Sequence, residues 1–344
     1  TYKDRIEVTG SDPRGLAYGV FHISEAIGVN PWYWWADVPV KHDPTPEYGE
    51  DYVSYGPSIK YRGVFINDED WGMKTWSERN FEKELGDIGP TYDKVCELLL
   101  RLKANMLAPA MHTCTGAFYS HPESQVMADK WGIMITTSHC EPLLFNNAAP
   151  SEWDSERDGE WNFLTNSEVI IKKLDDRIRT TSQYDNIYTM GMRGLHDEAM
   201  KGSEDPTVRA RTLEKVFDVQ RQILEEHKGM PAEQIRQIFV PYKETLDIYD
   251  AGFGGQQHCG CGGRILQCGS GNLCRVNDTC FDHVYVFFSS CVEACSFFAT
   301  LNLSDYYATF VTCVFSNLSN RFFQSSYDDC SACLSIAFQS FNVS

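Results

Sequence analysis

From residue 59 to residue 244 the chain repeats one pattern: a short apolar run, a cluster of polar or ionisable residues, and a helical stretch. The apolar runs are Val64-Phe65-Ile66 and residues 105–111, 132–136, 186–190 and 238–240. Each is short, apolar and bounded by polar or turn-forming residues, which reads as a buried strand. Between them, residues 92–103, 125–131, 167–181 and 207–227 carry helical apolar spacing, with Val95, Leu98, Leu99 and Leu102 on one face of the first. Alternating strands and helices predict a parallel sheet with helices packed outside it.

The residues at the strand ends narrow the architecture further. They read Asn67-Asp68-Glu69-Asp70, then His112, then Ser138-His139-Cys140-Glu141, then Gly191-Met192-Arg193-Gly194-Leu195-His196-Asp197, then Pro241-Tyr242-Lys243-Glu244. A (β/α)8 barrel gathers its site at this end of its strands. A doubly wound sheet would place a Gly-rich phosphate turn after the first strand. The carboxylates at 68–70 would instead repel phosphate. The expected fold class is therefore α/β, a partial (β/α)8 TIM-type barrel of about five βα units over residues 58–254.

The flanks read differently. Residues 1–57 predict the end of a small α/β domain plus a linker. Arg5-Ile6-Glu7-Val8 alternates like a strand, residues 16–27 are helical with Gly28 as the stop, and 41–57 are linker-like. Trp32-Tyr33-Trp34-Trp35 is either packing between this part and the next or a sugar-stacking platform. Thr1 stands either where a signal peptide was removed or inside a longer gene.

Residues 255–344 hold ten of the thirteen Cys and no Lys, Met, Pro or Trp, with four Asn-x-Ser/Thr sequons at Asn277, Asn302, Asn317 and Asn342. At face value this is a glycosylated, disulfide-rich module. The compositional break near Gly254 favours a frameshift or gene-model artefact.

Charge and hydropathy exclude some functions. A net charge of −18 argues against nucleic acid as a partner. No apolar run reaches the roughly 20 residues needed to span a bilayer.

Carboxylates at several strand ends suit glycoside hydrolysis, which needs two carboxyl groups flanking one bond. Taken singly, each could instead be a solvated loop residue or a helix cap. Arg193 and Lys243 offer cations for a uronic acid carboxylate, or Arg193 forms an internal ion pair with Asp197 or another acid. His112 reads either as a hydrogen-bonded rim residue or as part of a site. His139-Cys140-Glu141 has no common zinc spacing, and adjacent residues face opposite ways, so no metal is expected.

These stretches resemble glycoside hydrolase family 115, the xylan α-1,2-glucuronidases. The resemblance is carried by Tyr-Arg-Gly-Val-Phe-Ile-Asn-Asp-Glu-Asp-Trp at 61–71, Gly-Asp-Ile-Gly-Pro at 86–90, Glu-Leu-Leu-Leu-Arg-Leu-Lys-Ala-Asn at 97–105 and Pro-Ala-Met-His at 109–112. It continues in Thr-Ser-His-Cys-Glu-Pro at 137–142, Tyr-Thr-Met-Gly-Met-Arg-Gly-Leu-His-Asp at 188–197 and Pro-Tyr-Lys-Glu at 241–244, and covers residues 1–252.

The resemblance implies removal of (4-O-methyl)glucuronic acid from glucuronoxylan with inversion, no cofactor, an extracellular or periplasmic address and a possible homodimer in the intact family. It implies Glu244 as a general acid with a raised pKa. Asp197 and Asp68 are the other catalytic candidates, and Asn67, His139, Glu141, Arg193, His196 and Lys243 contact substrate. Ala108 and Thr113 depart from the Trp and Pro usual in the family. The family would continue beyond Gly252 into a sixth strand, so the expectation is a truncated, impaired enzyme. The rival reading is a non-catalytic secreted carbohydrate-binding protein.

Overall fold

The computed structural model describes residues 5–42, 51–66, 73–82, 89–240, 243–251 and 253. Asn67 and Asp68, with Glu69 and Asp70, lie outside the described residues, as do Pro241, Tyr242 and the whole Cys-rich stretch 255–344.

The described chain runs α1 (Pro13–Ala26), β1 (Gly63–Phe65), α2 (Met73–Ser77), α3 (Gly89–Arg101), β2 (Met106–Ala108) and α4 (Pro122–Trp131). It continues through β3 (Met134–Ile135), α5 (Ser155–Asp158), α6 (Phe163–Thr181), β4 (Tyr188–Met190), α7 (Pro206–Lys228), β5 (Gln237–Phe239) and α8 (Glu244–Asp250). Each strand and long helix read from the pattern is present, with ends shifted by a few residues. The long helices carry their own start signals: Asn162 caps α6 through Leu164 N, and Asp205 caps α7 through Thr207 N.

All strand pairs are parallel and follow chain order. β1 pairs with β2, β2 with β3, and β4 with β5. A parallel bridge from Ile135 to Asn186 joins β3 to the start of β4. Among the described residues the order 1-2-3-4-5 has no reversal, unlike a doubly wound sheet.

Side chains alternate across the strands. Leu107, Ile135, Tyr188 and Phe239 join the large core under the helices. Met106, Met134, Ile187, Ile238 and Val240 form a second buried cluster on the opposite face. Burial on both faces is why the strands read as continuous apolar runs rather than alternating ones.

The N-terminal part docks at the N-terminal ends of the strands. Tyr18 donates to Ala104 O at 2.9 Å, and Arg14 donates to Gly132 O at 2.5 Å and to Asp185 at 2.6 Å. Arg236, just before β5, also pairs with Asp185. The aromatic run is packing material: Trp35 stacks on Trp76 at 4.3 Å and Tyr33 donates to Glu97 at 3.0 Å. One expectation is corrected. Residues 5–8 form no strand, because no partner strand lies beside them among the described residues, and Ile6 is 54% exposed.

Gly63 tests the pairing of β1 with β2. A Cβ there would stand 2.2 Å from Met106 O, a backbone atom that cannot move without shifting the strand. Gly63→Ala should lose about 1–3 kcal/mol in urea unfolding. Leu164→Ala, at an exposed position, should stay within about 0.5 kcal/mol of the parent. Equal midpoints for Gly63→Ala and the parent would show that the two strands do not approach this closely.

Candidate active site

The described strand ends deliver their polar residues to one place. Arg193 lies just beyond β4, and its side chain is 2% exposed. Its guanidinium donates to both oxygens of Glu244, from Nε at 3.0 Å and from Nη2 at 2.7 Å. The same guanidinium pairs with the Asp197 carboxylate through Nη1 and donates to Asp197 O at 3.1 Å. One buried cation thus ties the β4 loop to the start of α8. The internal ion-pair reading of Arg193 is the arrangement seen, and it involves both acids.

Asp197 is held by three cations or potential cations. His139 Nε2 lies 3.1 Å from Oδ1, Arg193 shares that oxygen, and Lys243 Nζ donates to Oδ2. Burial works against the Asp197 carboxylate. His139, Lys243 and Arg193 outweigh it and hold the pKa well below the usual carboxylate range. His139 is pulled below its ordinary value, chiefly by burial, with the Asp197 contact opposing. Lys243 and His196 both adopt left-handed backbone, each at φ 51, a sparsely populated conformation that directs their side chains at the site.

Glu141 is the contrasting carboxyl. It is 3% exposed, and among the described residues its Oε2 has no hydrogen-bond partner. Burial, joined by the nearby charge of Glu152, pushes its pKa up to about 8. Its Oε1 accepts from Asn146 at 3.0 Å. Glu244 accepts from Arg193 and from Met200 N, the latter at 3.1 Å. Cys140 and His139 face different partners: Cys140 Sγ meets Ser138 Oγ at 3.0 Å, and His139 reaches Asp197.

Several residues that the sequence did not single out position this group. Asn147 donates to Gly194 O at 3.0 Å and accepts from His196 N at 2.7 Å, so the β3 loop clamps the β4 loop. Trp161 donates to Arg193 O at 3.0 Å. Gln220 of α7 bonds both the N–H and the C=O of Gly191 at the end of β4. The signal available for Asn146 and Asn147 was an adjacent amide pair soon after a strand-end carboxylate.

His112 packs its ring edge-on to His196, with centroids 5.0 Å apart. A cleft of about 480 Å³ opens beside this group, with His196 and Asp197 in its wall. Among the described residues no helix is long and apolar enough to cross a membrane.

The Glu141 shift sets a pH dependence. Below about pH 4.5 the group is protonated both folded and unfolded. As pH rises the unfolded chain ionises first, so the stability from the neutral buried acid declines and is gone above about pH 8. Glu141→Gln keeps the acceptor for Asn146 and cannot ionise. Between pH 5 and pH 8 its urea midpoint should fall less than that of the parent. Identical pH slopes would contradict a proton on Glu141.

Comparison with known proteins bears on the family. No curated protein sequence matches the chain. Among solved structures, one match is a family GH115 4-O-methyl-α-glucuronidase with specificity for decorated arabinogalactans. It is 38% identical with a TM-score of 0.64, and the match covers 75% of this chain and 34% of that one. The present chain thus spans about a third of that protein's length. The sequence pattern of glycosyl hydrolase family 115 matches residues 54–258, more than half of the chain and a little beyond the break near Gly254. On that match, the chain belongs to glycosyl hydrolase family 115.

Proposed function

We propose that this chain belongs to an enzyme that hydrolyses the α-linkage of (4-O-methyl)glucuronic acid side chains on a plant polysaccharide, with inversion. The observation that carries the reading is the group formed by Arg193, Asp197, Lys243 and Glu244, which places two carboxylates and two cations at the ends of neighbouring parallel strands. The unreversed strand order supports reading the five strands as an arc of a TIM-type barrel. A family member specific for decorated arabinogalactans supports a carbohydrate substrate. The sequence points to glucuronoxylan, and both polymers present the same uronosyl chemistry. Polymers of this size place the reaction in an extracellular or periplasmic space.

In this reading water attacks the anomeric carbon as the bond to the leaving sugar oxygen breaks. Asp197 takes the water proton, for which it must first give up one of its contacts to His139, Arg193 or Lys243. Glu244 delivers a proton to the leaving oxygen. To hold that proton, Glu244 must release an Arg193 contact, and the substrate carboxylate competes for the same guanidinium. Glu141 is the rival donor, since it holds a proton near neutral pH.

The test is release of uronic acid by the full chain from glucuronoxylan, from a glucuronidated arabinogalactan and from an aryl glucuronide. Glu244→Gln should lose about 10²–10⁴-fold on the polymers and far less on the aryl substrate, whose leaving group needs little protonation. Proton NMR should show the opposite anomer first. Equal losses on both substrate types would remove Glu244 as the acid. The same pattern in Glu141→Gln would assign that role to Glu141. Binding of polymer without turnover would favour a carbohydrate-binding role, and it would also decide whether the chain is impaired.

A further inference from the structure

Asp197 stands in a tight turn built around a strained residue. The turn closes through Gly194 N donating to Glu198 O at 3.0 Å and Glu198 N donating to Leu195 O at 2.9 Å. A Cβ on Gly194 would stand 2.4 Å from Ala199 O, so the two arms lie against each other. His196, at φ 51, occupies the left-handed region without being glycine, a costly conformation that its surroundings must hold. Other contacts fix the chain on either side of the turn. Gln220 holds Gly191, Trp161 holds Arg193 O, and Glu244 accepts from Met200 N.

Within the turn, Asn147 reaches in from the β3 loop and takes both arms at once. Its Nδ2 donates to Gly194 O at 3.0 Å and its Oδ1 accepts from His196 N at 2.7 Å. Asn147 is 4% exposed, and its backbone is anchored one residue earlier. There the Asn146 side chain donates to Met111 O at 2.7 Å and to Glu141 Oε1 at 3.0 Å, while its N–H donates to Glu152 Oε2 at 3.0 Å. We propose that Asn147 is a positioning residue: it holds the His196 turn in the form that brings the Asp197 carboxylate to His139 and Lys243, two side chains supplied by other strand ends. Its effect on turnover rests on the glucuronidase reading, and its effect on the turn does not.

An ionised carboxylate only accepts hydrogen bonds, so His139 Nε2 is the donor to Asp197 Oδ1 across their 3.1 Å contact. His139 faces Asp197, Arg193, Lys243 and His196, and among these Asp197 alone favours its charged form. When the turn relaxes, Asp197 withdraws and the His139 proton leaves at a lower pH. Asp197 in turn loses the His139 and Lys243 contacts, and its pKa moves back up towards the ordinary carboxylate range.

The experiment follows the His139 imaidazole through its titration by NMR in the full 344-residue chain carrying isotope-labelled histidine, the signal being assigned by its loss in His139→Gln. Asn147→Ala removes both bonds and should move the His139 midpoint down by about half a pH unit or more. Asn147→Ser should move it the same way, because the shorter side chain cannot span both arms, and it keeps a polar atom in the buried space if the alanine variant does not fold. Leu224→Ala, a core truncation close to the end of α7, should lower the urea midpoint and leave the His139 midpoint where it was. In uronic acid release, the Asn147 variants should lose about 10–100-fold in kcat with KM changed less than about threefold. The acid limb of their pH profile should move up, since the base is then a weaker acid.

Equal His139 midpoints in the parent and the folded Asn147 variants would overturn the proposal, whatever the activity. A shifted midpoint with kcat falling no further than in Leu224→Ala would overturn the catalytic consequence. A shifted midpoint in a chain whose parent releases no uronic acid would support the positioning role and count against the glucuronidase reading.

Discussion

A guanidinium withdrawn from water needs carboxylates around it, and Arg193 is the place where this requirement organises the molecule. Its charge is almost wholly shielded from solvent, so leaving it unpaired would cost several kcal/mol. Glu244 satisfies it from the start of α8 and Asp197 from its own loop. Two acids from different strand ends are thereby brought to one cation. The β4 loop cannot drift from α8 without exposing that charge. His139 and Lys243 then complete the shell around Asp197.

The surroundings sort the acids by role. Asp197 sits among positive groups and stays ionised, while Glu141 is deeply buried beside the Glu152–Arg177 pair and holds a proton. Burial acts on both in the same direction but far more on Glu141, which is 3% exposed, and Asp197 adds three cationic or potentially cationic partners that Glu141 lacks among the described residues. The loop between β3 and α5 makes this possible. It runs through Leu143 at φ 48 and Leu144 at φ 65, both fully buried, and delivers Asn146 to Glu141 and Asn147 to the β4 loop. Two consecutive left-handed residues without glycine are costly, and the surrounding hydrogen bonds hold them in place.

The parallel sheet was legible because its strands are apolar throughout and its helices carry explicit start and stop residues, such as Asp205 before Pro206 and Gly229 after Lys228. The strand-end acids and cations were legible because they interrupt apolar runs. The pairing of Arg193 was not, since its two readings differ only in what the folded chain places opposite the guanidinium. The burial of Glu141 was also invisible, because it belongs to a loop that looks polar at its start yet is buried through Leu143, Leu144 and Phe145. The extended segment at residues 5–8 misled because alternation alone does not supply a partner strand.

The most direct measurement of the central claim is a double-mutant cycle on stability between Arg193 and Glu244, read by urea unfolding. Removing Arg193 leaves Glu244 without its cation, removing Glu244 leaves the buried guanidinium with Asp197 as its one carboxylate partner among the described residues, and removing both does neither. Arg193→Met combined with Glu244→Gln should therefore cost less than the sum of the single losses, with a coupling of about 1–3 kcal/mol. Losses that add to within about 0.5 kcal/mol would contradict the account, because they would show that the two side chains do not share a buried contact.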